Sequence, residues 1–250
     1  MVKCIKLLRI LSLLLVVLMG ENLSVSAQEV TQQKVVVLET DSGRICIALY
    51  NETPLHRDNF VKLVKEGFYD GLLFHRVIEN FMIQTGDSLS RHATEGQLLG
   101  DGSYEKYKIP AEIHFPKIFH KKGCVAAARE GDDVNPHRES SMCQFYIVWG
   151  KRFSSSDIEK AQERLDTLTH GRVKLTPEMI KTYKSVGGTP HLDGQYTVFG
   201  EVTEGLNIVE RIQKAETDDY DRPFEDIRIL RASVTKDIPK TTVTKVVKKR

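Results

Sequence analysis

The sequence predicts a mainly β chain with a few helices added, and three observations carry that prediction. Short apolar runs come in pairs about turn-forming residues. Val35–Glu39 and Arg44–Leu49 flank Asp41-Ser42-Gly43, and Leu72–Ile78 and Phe81–Thr85 flank Glu79-Asn80. Paired runs of this kind read as antiparallel hairpins. Further strand-like runs follow at Gly123–Arg129, Cys143–Trp149 and Ile227–Val234. Helical spacing is confined to four places, none long enough to organise the chain on its own. With 40% apolar and 28% charged residues over 250 positions, the chain is long enough to bury a core in one or two domains.

The first 27 residues read as a targeting segment. Lys3, Lys6 and Arg9 precede the apolar stretch Ile10–Met19, and Val25-Ser26-Ala27 supplies small residues. That order is the signature of a secretory signal peptide. The apolar core is far shorter than the roughly 20 residues that span a bilayer, so no stable membrane anchor is expected. No cysteine follows the core, so a lipoprotein anchor is not expected, and the terminal VVKKR is no KDEL-type signal. The mature chain is therefore expected to start near Gln28 and to be exported. It would be periplasmic in a Gram-negative source and otherwise secreted or within the secretory pathway. Without the leader, 33 basic residues face 33 acidic ones, a balance that excludes a general electrostatic grip on nucleic acid. Cys46, Cys124 and Cys143 sit singly in apolar runs, and three is an odd number. They read as buried thiols, or as one bridge and one thiol. No pair has metal-ligand spacing, so neither zinc nor any other cofactor is expected.

From Val35 each element can be justified in turn. Thr53-Pro54 starts a helix whose stripe Phe60, Val61, Leu63 and Val64 ends at Gly67. In the second hairpin, alternation places Phe74, Arg76 and Ile78 on one face and His75 and Val77 on the other. An arginine in so apolar a run needs a partner. Carboxylates on an exposed sheet face would serve. The partner strand, however, carries Gln84, a second long donor, and Phe81 and Met82 add a soft apolar surface. A polar pair beside an apolar pocket marks a binding site.

The whole stretch Phe74–Asp87, FHRVIENFMIQTGD, resembles nearly residue for residue the signature of the cyclophilin family of peptidyl-prolyl cis/trans isomerases. The resemblance implies a closed eight-stranded antiparallel barrel capped by helices. A barrel of that size fills its interior with side chains, so the substrate site must lie on its outer surface. The resemblance also assigns roles: Arg76 and Gln84 catalytic, with Phe81, Met82, Tyr146 and Leu192 forming the proline pocket. Gln84, Ala128, Arg129 and Gln144 would hold the peptide backbone, the alanine through its main chain, and His191 and Tyr196 complete the site.

Residues 88–122 are polar and glycine-rich and read as a long ordered surface loop, with Ile109–Ile113 a short edge segment. Asp101-Gly102 lacks the rest of a phosphate-binding pattern. Small residues at Ala126–Ala128 would let a peptide backbone approach closely. In Cys143–Trp149, Gln144 and Tyr146 share the outer face, while Phe145 and Ile147 point inward. Ser141 and Cys143 have no strand-to-helix elbow and no evident His–acid partner, so hydrolase chemistry is not expected. Tyr146 adds a hydroxyl that requires a partner.

Lys151–Pro190 departs from the family pattern. Ser156-Asp157 caps a helix through about Leu168, and Thr176-Pro177-Glu178 opens a second through Val186, stopped by Gly187-Gly188. With eight basic and five acidic residues this inserted helical pair is a solvated cap, the favoured reading, or an added wall of the groove or docking surface. His191–Gly200 resumes the family pattern. His191 stands where many members carry tryptophan and Tyr196 where many carry histidine, which implies weak cyclosporin binding. Asn207–Gln213 forms a short helix with Ile208, Val209 and Ile212 inward, and Ile227–Val234 closes the barrel. The tail 235–250 is basic and disordered by composition. The chain thus divides into a leader (1–27), an isomerase domain (28–234) carrying the insertion (about 151–190), and a tail. Two function classes remain: a monomeric isomerase acting on proline-containing peptides and unfolded exported proteins, or a binding module that holds such segments. Arg76 favours the first, since binding alone would tolerate its loss.

Overall fold

A computed structural model describes residues 33–102 and 105–235; the expected leader and tail, beyond Thr235, lie outside the described residues. Ten strands are present among them: β1 (Val35–Thr40), β2 (Gly43–Leu49), β3 (Arg76–Ile78), β4 (Met82–Thr85), β5 (Lys108–Ile109), β6 (Cys124–Ala127), β7 (Ser140–Ser141), β8 (Phe145–Val148), β9 (Val198–Glu204) and β10 (Ile229–Thr235). Four α-helices accompany them: α1 (Pro54–Lys65), α2 (Ser155–Thr169), α3 (Pro177–Ser185) and α4 (Leu206–Ile212). Eight strands form one antiparallel sheet in the order β10-β1-β2-β9-β6-β8-β4-β3, and β5 pairs with β7 apart from it. The short pair is the edge segment expected near Ile109.

The sheet curls because register shifts at Glu39/Thr40, Cys46/Ile47 and Val125/Ala126 increase its twist. Closure is only partial. Its end strands β10 and β3 do not pair with each other; the start of β10 and the segment before β3 meet at a single antiparallel bridge, Leu73 with Arg228. Ile229 N–H donates to the Leu72 carbonyl, and Phe74 N–H to that of Ile227. A curled half-barrel therefore replaces the closed barrel that was expected.

Inside the curl lies the main core. Val36, Leu38, Ile45, Ile47 and Leu49 from the first hairpin meet Phe60, Val61, Leu63 and Val64, the predicted stripe of α1. Phe60, Tyr69, Phe145 and Phe199 pack edge-on or tilted, with centroids 5.0–6.5 Å apart. Such pairs add about 0.5–1.5 kcal/mol each beyond their buried area. Cys46, Cys124 and Cys143 are all buried. The α1 N-terminus departs from expectation, because Thr53 offers it no side-chain cap. Glu112, from the long loop, accepts from the N–H groups of Leu55 and His56 instead, and from the His56 ring.

Phe74 does not share a face with Arg76. It lies before β3 begins, in irregular backbone, and packs in the same core as Val77. Alternation holds only where the ladder is continuous, and here it starts at Arg76. Residues 151–190 form both expected helices, with a small core of their own: Ile158, Leu165, Val173, Leu175, Met179 and Tyr183. The cap of α2 is Ser154 rather than Ser156; it accepts from Asp157 N–H while Asp157 accepts from Ser154 N–H, a reciprocal capping box. Gly187-Gly188 does more than stop α3. A Cβ on Gly188 would stand 2.2 Å from the His120 carbonyl oxygen, so only glycine lets the insertion's base sit against the sheet.

Candidate active site

Three neighbouring strands present the site on the outer face of the sheet. Ladder register sets Arg76 opposite Gln84, and Gln84 opposite Tyr146, which in turn lies opposite Ala126. Residues two apart share a face, so Arg76 and Gln84 reach outward while Val77 and Ile83 go to the core. Beneath them lies a second apolar layer of Met82, Tyr146, Val148, Ala126 and Val198, with Phe81, Leu192 and Tyr196 packed against it. The resulting hollow of about 190 Å³ is lined by Arg76, Phe81, Met82, Gln84, Ala128, Arg129, Tyr146, Leu192 and Tyr196. All nine were expected from the sequence to belong to the site.

Each polar member is held by a partner from elsewhere. Asp221 accepts from Arg76 Nε at 3.2 Å, which fixes one edge of the guanidinium. Gln84 Nε2 donates to Gln144 Oε1 at 3.0 Å, and Gln144 Nε2 to the Gly100 carbonyl at 3.3 Å. Gln144 is therefore buried beside the proline-sized hollow rather than lining it, and its side chain orients Gln84. Arg129 has only 4% of its side chain exposed. It donates to the Gln195 carbonyl and pairs with Asp132, with its guanidinium 4.4 Å over the Tyr196 ring. Ala128 corrects one expectation: its N–H already donates to the Gln144 carbonyl and its carbonyl accepts from Ser141 N–H. What it can still offer a peptide is a small side chain and one carbonyl lone pair.

The Tyr146 hydroxyl has the partner it required. Asp193, fully buried, accepts from His120 N–H and from His120 Nδ1, and its other oxygen accepts from the Tyr183 hydroxyl at 2.6 Å. A carboxylate only accepts, so Nδ1 carries the proton and Nε2 accepts from Tyr146, 3.1 Å away. Burial pushes the Tyr146 phenol far up, so it stays a neutral donor. Sequence reasoning missed Asp221, His120 and Tyr183 as contributors. His120 and Tyr183 lie in segments read as loop and insertion, and nothing in local spacing ties them to residues 26 and 10 positions away.

His191 lies on the other side of Phe81, ring centroids 5.4 Å apart, and faces a separate, larger hollow. Burial first, then the charge of Arg164, lowers its imidazole to about 4. It is therefore neutral at physiological pH and offers an aromatic edge without charge. A third hollow adjoins the site at Gln84, Ala128 and Arg129, walled by Gly100, Asp101, Gly102 and Glu105 from a stretch that the sequence left as surface loop. No group of His, Cys, Asp or Glu suited to a metal is present among the described residues.

The curled sheet and its outer hollow define a class: a β protein with a shallow apolar pocket, sized for one small ring, beside fixed amide and guanidinium donors. The family model for cyclophilin type peptidyl-prolyl cis-trans isomerases matches residues 35–234. A Staphylococcus aureus (strain COL) protein named for the same activity is 32% identical over 204 residues, 81% of this chain and 92% of its own. Peptidyl-prolyl cis-trans isomerase ppi1 of Schizosaccharomyces pombe is 33% identical over 198 residues, 79% of this chain and 96% of its own. Among solved structures, a cyclophilin type isomerase of Cryptosporidium parvum superposes with a TM-score of 0.57 at 20% identity, covering 82% of this chain and 99% of that one. The same protein in the presence of the dipeptide Ala-Pro gives 0.55, again at 20% identity, over 81% and 99%. The chain belongs to the cyclophilin-type peptidyl-prolyl cis-trans isomerases and is an enzyme of that class.

Proposed function

We propose that this isomerase accelerates X–Pro rotation in exported proteins as they fold, with Arg76 donating to the prolyl amide while it is twisted. Rotation about a peptide bond costs about 18–20 kcal/mol because nitrogen and carbonyl are in resonance. The two X–Pro isomers differ by only about 0.5–1 kcal/mol, and uncatalysed exchange takes tens to hundreds of seconds. The need is for speed, and no covalent bond has to form or break. As the amide twists, its nitrogen regains a lone pair and becomes a better acceptor. A donor aimed at it then binds the transition state more strongly than the ground state. A guanidinium suits this role, being always charged, planar, and able to keep one edge tied while the other donates.

What carries the reading is the setting of Arg76. Its Nε is tied to Asp221, it borders the hollow of Phe81, Met82, Tyr146 and Leu192, and its side chain is 43% exposed. An ion pair this open is worth about 0–1 kcal/mol to the fold, too little to explain an arginine at the mouth of an apolar pocket. Within the hollow, the apolar residues would seat the proline ring and Gln84 and Arg129 would hold the flanking backbone. The order of residues 1–27, basic then apolar then small, supports export, and a site complete within one chain supports a monomer. The test is a cis/trans relaxation assay on a short X–Pro peptide with residues 28–250. Acceleration in proportion to enzyme supports the reading, and unchanged relaxation sinks it. Intact mass of protein from the native host addresses export: a chain starting near Gln28 supports it, and a soluble full-length cytoplasmic species overturns it.

A further inference from the structure

Beside the proline pocket lies a second and larger hollow, of about 540 Å³. Phe81 lines both, and His191 and Pro190 continue the second one beyond the reach of a single proline ring. Its far wall belongs to the inserted helical pair. Phe153 and Ala161 supply apolar surface there, and Lys151, Lys160 and Arg164 supply charge. Of these three cations, Lys151 is 3.5 Å from Asp157, whose carboxylate is already engaged in capping α2. Lys160 and Arg164 are four residues apart on α2, exposed, and have no ion-pair partner among the described residues. Like charges at that spacing repel each other, so the helix alone gains nothing from the pair. The wall is fixed in place, because Tyr183 of α3 donates to Asp193, which also holds His120 and, through it, Tyr146 of the proline pocket.

We propose that this groove is an extension of the substrate site for residues just beyond the proline, and that it selects segments bearing carboxylates there. The proposal rests on the isomerase reading above and gives the insertion a role in substrate choice. Continuity through Phe81 sets the distance: an extended peptide advances about 3.3–3.6 Å per residue, so the first few residues flanking the proline fall in the groove. Phe153, Pro190 and His191 would underlie the chain while Lys160 and Arg164 meet its acidic side chains. Both cations are exposed, so the selectivity is modest and falls as salt is added.

The test uses the full chain and a set of short X–Pro peptides that differ only in the residues flanking the proline: acidic, neutral or basic, with the change placed on either side in turn. The expected result is a kcat/KM about three- to tenfold higher for the acidic than for the neutral peptide at low salt, on one side of the proline only. The basic peptide should be the poorest. In a Lys160→Glu/Arg164→Glu variant that melts within a few degrees of the parent, the acidic preference should vanish or invert. An unchanged acidic-to-neutral ratio in that variant overturns the proposal. Salt-sensitive binding of the parent to phosphatidylserine vesicles, with no peptide preference, overturns it too and assigns these charges to a membrane surface. If no peptide is isomerised at all, the isomerase reading fails separately. Fluorescence anisotropy of the labelled acidic peptide then still decides the groove, by whether the charge reversal weakens binding.

Discussion

Single residues in this site work through what holds them. Tyr146 shows the logic: its ring floors the pocket while its hydroxyl is taken by His120, so the extra oxygen is paired inside rather than offered to substrate. His191 is the opposite case. It is half-buried against Phe81, held neutral by burial, and presents less apolar area than a tryptophan would. Cyclosporin should therefore inhibit this enzyme weakly, and His191→Trp should tighten inhibition by at least several-fold. Titration of inhibitor against both proteins checks this; a parent that already binds as tightly as the tryptophan variant contradicts it.

At the scale of elements, the α2–α3 pair is joined to the rest of the fold by polar bonds as well as packing. The Tyr183 hydroxyl reaches Asp193 at 2.6 Å, and Asp193 is fully buried and receives two further bonds from His120. Removing one donor from a buried carboxylate costs more than the loss of an ordinary hydrogen bond. Tyr183→Phe should lower stability by about 1.5–3 kcal/mol, read as a shift in the denaturant midpoint at unchanged slope. A neutral effect would mean that the insertion docks by its apolar core alone. The elements themselves were largely legible. Both hairpins, the α1 stripe and helices α2 and α3 follow from local spacing, and each appears within a few residues of its expected bounds. What local spacing could not show is who caps or pairs with whom across the chain. Glu112 serves α1 from 56 residues away, and Asp221 serves Arg76 from 145. Phe74 was assigned to the wrong face because β3 is shorter than the apolar run that suggested it.

For the molecule as a whole, burial of histidine sets the acid side of stability. Burial holds His75 at about 4, and it lowers His56 and His191 as well. A histidine whose folded pKa lies below the unfolded 6.5 stabilises the fold fully above that value. The contribution is lost as pH falls from about 6.5 toward 4, where the unfolded chain binds the proton and the fold does not. Asp58, held at about 2 by Arg57, contributes above its ordinary value and loses that contribution only below about 4, so the two windows are separate. Stability should therefore fall with pH from 6.5 to 4 at up to about 1.4 kcal/mol per unit for His75 alone. His75→Gln should flatten that slope whatever it does at neutral pH; an unchanged slope would contradict the assignment. The candidate site was as legible as the sheet that carries it, since Arg76, Gln84 and the ring pocket sit on consecutive outward positions of paired strands. Its central claim is that Arg76 acts on the twisted amide. The most direct measurement is kcat/KM on a short X–Pro peptide together with the melting temperature, both taken on Arg76→Ala. The account predicts a loss of at least about tenfold in kcat/KM at a melting temperature within a few degrees of the parent, and a poor Arg76→Lys as well. A folded, fully active Arg76→Ala protein, or one that melts early while keeping its activity per folded molecule, would contradict it.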